Sequence, residues 1–72
     1  MQYRNFGKFI KLKRLKLKYS LNQFAILSEI DSASLSRFEH NKSDIYFSNF
    51  IKIANGFNMS PAELLKEFEK KN

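Results

Sequence analysis

The chain has 72 residues, no Cys and a net charge of +6, enough for one small domain over residues 1–72 and with no disulfide or thiolate–metal site to brace it. No run approaches the roughly 18 apolar residues of a membrane-spanning helix, and the start, Met1 to Phe6, lacks the apolar stretch of a secretory signal. The expectation is a soluble cytoplasmic domain that makes no membrane contact.

A chain this short buries only about 60% of its unfolded surface, so its stability rests on the core. Eight Phe, with many Ile and Leu, supply that core. Charge is unevenly placed. Residues 1–18 hold Arg4, Lys8, Lys11, Lys13, Arg14, Lys16 and Lys18 and no acid, whereas the remainder is close to neutral. Such a segment suits a polyanionic partner, or is simply a solvated basic face.

The first predicted helix runs from about Arg4 to Lys18. Phe6, Ile10 and Leu17 form one stripe, with Arg14 at its border. Lys13 lies on the stripe, and Phe9, Leu12 and Leu15 lie off it, free to meet the last helix or another subunit. Lysines surround this helix instead of lining one side, which disfavours a membrane-surface role.

The second predicted helix spans about Ser20 to Ser28. Ser20 is an N-cap and Gln23, three residues on, completes a capping box. Phe24 and Leu27 face the core, and Ala25 is small enough to admit a neighbouring helix. The pattern lapses at Ser28-Glu29 and resumes at Ile30. Asp31 caps a third helix, about 31–40, with Leu35 and Phe38 inward and Ser32, Ala33, Ser36 and Arg37 outward. That outward face is slim, and small side chains around one Arg can enter a DNA major groove and read a guanine edge.

A polar turn, Asn41-Lys42-Ser43-Asp44, follows, with Asn41 suited to a left-handed helix end. The fourth helix, about Tyr46 to Phe57, has Phe47, Phe50, Ile51, Ala54 and Phe57 on one face. Either Asp44 caps it or the chain runs irregularly to Ser48. Its flanks are helical, so Gly56 reads as a close helix contact near a helix end. Ser60, Pro61 and Glu63 open the fifth helix, which runs to about Glu69 before a frayed end. Leu64, Leu65 and Phe68 face inward, and Glu63, Glu67 and Glu69 form a solvated acidic face.

Ser20-Leu21-Asn22-Gln23-Phe24-Ala25, then Ile30, then Leu35-Ser36-Arg37-Phe38-Glu39 and Lys42 resemble the helix-turn-helix of the Cro/C1-type (XRE-type) DNA-binding domains. The resemblance covers about Phe6 to Leu65. It implies an all-α, compact five-helix bundle of the lambda-repressor-like DNA-binding type. It also implies a salt bridge between Arg14 and Glu39 that ties the first helix to the recognition helix. Members of that family often carry Gly in the turn where this chain has Glu29, and a non-Gly residue there costs roughly 1 kcal/mol. Ser36-Arg37-Phe38-Glu39, Ser43-Asp44-Ile45 and Ser48-Asn49-Phe50-Ile51 resemble more narrowly the N-terminal domains of Rgg/MutR-type transcriptional regulators. Those answer to a peptide or protein effector through a region outside this chain.

Chemistry-bearing patterns are scarce. There is one His and no Cys, and neither a phosphate-binding loop nor a dinucleotide glycine motif. No enzyme, cofactor or metal is expected. His40 sits at a helix C-terminus, where a cation is favoured; it touches a phosphate there or is merely solvated.

The expected function is sequence-specific binding of double-stranded DNA by a transcriptional regulator. Ser32, Ala33, Ser36 and Arg37 are the expected base contacts, with a phosphate contact as the alternative for Arg37. Phosphate contacts are expected from Ser20, Asn22 and Gln23 at the start of the second helix, and from His40, Asn41, Lys42 and Ser43 after the third. Arg4 and Lys8 would add a nonspecific pull. The resemblance implies a homodimer built around Phe57, Asn58, Met59 and Pro61. The alternative is a protein-interaction adaptor on the same fold, an antitoxin-like or inhibitor-binding module.

Overall fold

The computed structural model describes residues 5–42 and 45–71. Arg4, Ser43 and Asp44, which carry expectations above, lie outside them. Five α-helices occur among the described residues and no strand: α1 (Phe6–Lys16), α2 (Leu21–Ser28), α3 (Ser32–Glu39), α4 (Phe47–Gly56) and α5 (Pro61–Lys71). The bundle measures 29 × 25 × 23 Å. Helix α1 packs on α3, α2 on both α3 and α4, and α4 on α5.

Local chemistry sets the helix ends. Ser20 and Gln23 form a reciprocal capping box, Gln23 N–H to Ser20 Oγ at 3.1 Å and Ser20 N–H to Gln23 Oε1 at 2.8 Å. Ser60 and Glu63 repeat it at α5 with the same two distances. Asp31 caps α3 by accepting from the Ser34 N–H at 3.1 Å. Helix α4 starts without a side-chain cap; Tyr46 occupies the capping position.

Lys18, Glu29, Asn41 and Asn58 follow α1 to α4 respectively, each with φ between 57° and 65°. None is Gly. Each donates its N–H three residues back, and the next residue donates five back; Glu29 to Ile26 at 3.1 Å and Ile30 to Ala25 at 3.0 Å are one example. This paired arrangement satisfies the last helical carbonyls and holds a conformation that side chains otherwise resist.

Two aromatic clusters fill the interior. Phe6 is the hub of the first, with ring centroids of Phe9, Phe38, Phe50 and Phe68 at 5.8, 5.8, 5.5 and 4.9 Å. Phe24 anchors the second, against Phe57 at 4.3 Å and Tyr19 at 6.1 Å. Helix α4 contributes Phe50 to one, and Phe57 at its C-cap joins the other, so it links the two. Each ring pair adds about 0.5–1.5 kcal/mol beyond the area it buries.

The structure corrects several core assignments. Leu17 is 48% exposed, because α1 ends at Lys16 and Lys18 turns the chain before Leu17 can complete the stripe. Phe9, one of the three residues left free to meet the last helix, does meet it: it is buried and tilted on Phe68 at 5.3 Å, since α5 covers a second side of α1. Leu27 is half-exposed, and Ser28 takes the inward position beside Phe24 and Ala25. Phe47 is 73% exposed; as the first residue of α4 it precedes the turn that meets the core, and Ile53 is buried in its place. Glu67 leaves the solvated acidic face to pair with Lys13. Helix α5 continues to Lys71.

Both glycines are sites of close approach. A Cβ on Gly7 would run into the Phe38 carbonyl oxygen, and one on Gly56 would meet the Ser28 hydroxyl and the Phe24 ring. Gly56 thus matches the helix contact read from its flanks. Gly7 had no sequence signal; its role is to seat α1 on the backbone of α3.

Candidate nucleic-acid interface

Helices α2 and α3 with the residues between them form the helix-turn-helix. Glu29 supplies the left-handed turn, Ile30 packs against the core, and Asp31 opens α3. Two backbone hydrogen bonds and the Ile30 anchor hold Glu29 against a strain of about 1 kcal/mol. The missing turn glycine therefore leaves the geometry intact.

Behind α3 lies a buried ion pair. Arg14 Nε and Nη2 donate to Glu39 Oε2 and Oε1 at 2.9 and 3.0 Å. Arg14 Nη1 donates to the Tyr19 carbonyl at 2.9 Å. Side-chain exposure is 7% for Arg14 and 1% for Glu39. The forked geometry fixes orientation as well as distance, so α3 can neither roll nor slide on α1 without breaking charge-assisted bonds in a dry site.

With Leu35, Phe38 and Glu39 buried, helical periodicity turns Ala33 and Arg37 outward, and both are exposed. Ser32 and Ser36 are half-buried on the flank and are less prominent than the sequence suggested. Ser34 is exposed on the other flank, and its hydroxyl donates to Asp31 Oδ2 at 3.2 Å. His40 is exposed; its Nδ1 donates to the Ser36 carbonyl at 2.8 Å, which ties it to the end of α3 and leaves Nε2 outward.

At the start of α2, Ser20, Asn22 and Gln23 are exposed. Gln23 spends its amide oxygen on Ser20, and its amide N–H groups stay available to an outside acceptor. Asn41 and Lys42 are exposed after α3. The described residues of both expected phosphate-contact clusters thus lie at the surface, and Ser43 is outside the described residues.

Two shallow grooves flank α3. One brings Asn22, Ile26 and Glu29 beside Ser32. The other places Arg37 and Ser34 beside Ile45, Tyr46 and Asn49. Ile26, Tyr46 and Asn49 escaped the sequence reading, because periodicity marks what faces a core and not what a neighbouring helix brings alongside. A weak signal existed: Tyr46-Phe47 places two aromatics at a helix start with no room for both inside.

The lysines of α1 are elsewhere. Gly7 and Arg14 face α3, and Lys8, about 100° round the helix from Gly7, is exposed to the side of that contact.

A five-helix bundle with a helix-turn-helix backed by a buried ion pair defines a class that includes many DNA-binding domains. The family model described as helix-turn-helix domain matches residues 7–68, and the chain belongs to that family. DNA binding is the activity to which this membership points. No curated protein and no solved structure matches the chain.

Proposed function

We propose that the chain binds double-stranded DNA sequence-specifically as the DNA-binding domain of a cytoplasmic transcriptional regulator and carries out no catalysis. The observation that carries this is the two-sided character of α3. One side is locked by Arg14 and Glu39, and the other offers Ala33 and Arg37 on a narrow, exposed ridge.

In this reading α3 enters the major groove. Arg37 donates both arms to a guanine, Ala33 meets a thymine methyl, and Ser32 and Ser36 bond to base edges on the flank. Ser20, Asn22 and Gln23 hold one phosphate ridge through side chains and the free amides of α2. Asn41 and Lys42, with Ser43 and with His40 donating from Nε2 as an imidazolium, hold the other. Tyr46 and Asn49, next to Arg37, are further candidates for that ridge. A homodimer would read two half-sites about one helical turn apart. Asn58, Met59 and Pro61 remain accessible for it, whereas Phe57 is 9% exposed and committed to Phe24. An effector region outside this chain, as in Rgg/MutR-type regulators, fits the same reading.

Selection of duplex sites from a random pool tests it. The unaltered chain should return a motif with paired half-sites. Arg37→Ala should weaken the preferred site by about 1–3 kcal/mol and relax one base position. An unchanged motif at unchanged affinity would remove Arg37 from the reading surface, and no enrichment at all would remove the proposal.

A further inference from the structure

The outer face of α1 has a pattern that neither the core nor the recognition surface uses. Leu12 and Leu15 are 56% and 50% exposed. They lie three residues apart, the spacing of positions a and d in a heptad. Lys11 then falls at g and Lys16 at e, and Lys8 occupies the preceding d. This is one heptad of a coiled-coil seam: two leucines bordered by lysines on both sides.

The lysines are uncompensated. Among the described residues the ion pairs are Lys13 with Glu67 and Arg14 with Glu39. Lys8, Lys11 and Lys16 have no carboxylate partner there. Lys13, by contrast, shows what the fold does with a lysine it needs: its ammonium sits over the Phe57 ring at 5.2 Å and beside Glu67. Leu12 and Lys16 lie well round α1 from Gly7 and Arg14, the residues that meet α3, so duplex DNA on α3 leaves them open.

We propose that this seam docks an acidic amphipathic helix of a partner protein, with apolar residues at a and d and Glu at e and g. Charge complementarity selects that occupant. Lipid is a poorer fit, because Lys8 interrupts the apolar strip and no aromatic residue lies on it to anchor in a headgroup layer. A second copy of this chain is also poorer. Its acidic helix, α5, commits Glu63 to Ser60 and Glu67 to Lys13. A single heptad contact is weak by itself, so the docked helix would act as one contact of a larger assembly.

The test is titration of the amide resonances of the chain with a helical peptide of about three heptads carrying Leu at a and d and Glu at e and g. Shifts should be confined to residues 8–17. Affinity should fall about tenfold in Leu12→Ser/Leu15→Ser, the loss expected from two half-buried leucines. Lys11→Glu/Lys16→Glu should lose the Glu peptide and gain its Lys counterpart. Duplex DNA should leave peptide binding unchanged. The proposal is overturned if a Ser-for-Leu peptide binds equally well, if the charge-reversed chain keeps the Glu peptide, or if DNA displaces the peptide. Binding to phosphatidylglycerol vesicles without binding to the peptide would also overturn it, in favour of a membrane surface. All four substituted positions face solvent or are half-buried, and the peptide controls leave the protein unaltered.

Discussion

Neighbouring residues of α1 hold two other helices by different physics. Arg14 grips α3 through a dry, forked ion pair with Glu39. Lys13 meets α5 through Glu67 at 2.9 Å, with side-chain exposures of 17% and 30%, next to an aromatic cluster made by Phe6, Phe9 and Phe68. The α1–α3 contact is specific and intolerant: it has one geometry, and loss of either partner strands a buried charge. The α1–α5 contact is largely apolar, and its ion pair is partly wet. Helix α3 is thus held by the less forgiving contact.

Glu39→Ala is the strongest way to break this contrast. It leaves the Arg14 guanidinium buried with only the Tyr19 carbonyl, and should cost about 3–5 kcal/mol in chemical denaturation. A domain of this size has only about 4–11 kcal/mol in all. Arg14→Met/Glu39→Leu should recover much of that loss while leaving α3 less firmly oriented, which would show as weaker selectivity for DNA at near-normal stability. Equal costs for the single and the double substitution would mean that shape, and not charge, sets the α1–α3 contact.

Gly7→Ala comes next. Its methyl would meet the Phe38 carbonyl, which is backbone and cannot swing aside, so a cost of about 1–3 kcal/mol is expected by thermal melting. Lys13→Ala removes a partly exposed pair and a cation over a ring, and should cost about 1 kcal/mol or less, falling further with added salt. A Lys13 effect as large as that of Glu39 would erase the distinction between the two contacts.

The smallest effect lies at the start of α5. The Ser60 backbone N–H, and then its hydroxyl, hold the Glu63 carboxylate below the usual carboxylate value. A carboxyl depressed in the folded state stabilises above its unfolded pKa and loses that contribution as pH falls through the folded one. The unaltered chain should therefore be slightly more stable than Glu63→Gln near neutrality, and their melting midpoints should converge on acidification. A gap that widened in acid would assign the cap a different role.

The helix-turn-helix was the most legible part. Ser20 with Gln23, and Asp31 before a run of short residues, are local signals, and local hydrogen bonds decide them. Glu29 was legible only as a departure, because its left-handed backbone depends on bonds to Ile26 and Ala25 that exist once α2 has formed. The outward position of Arg37 follows from the inward ones of Leu35 and Phe38. The grooves beside it do not, since Tyr46 and Asn49 arrive from a separate helix.

From the chain of letters alone came five helices, their capping chemistry, the exposed arginine of the third, and a basic first segment. Those depend on residues a few positions apart, where backbone geometry leaves little choice. Only packing in three dimensions decided that Phe9 turns in and Leu17 out, that Gly7 lets α1 touch the α3 backbone, and that Lys13 turns to Glu67 of α5. Each of these depends on which elements crowd a helix from outside, and a helical period carries no record of its neighbours.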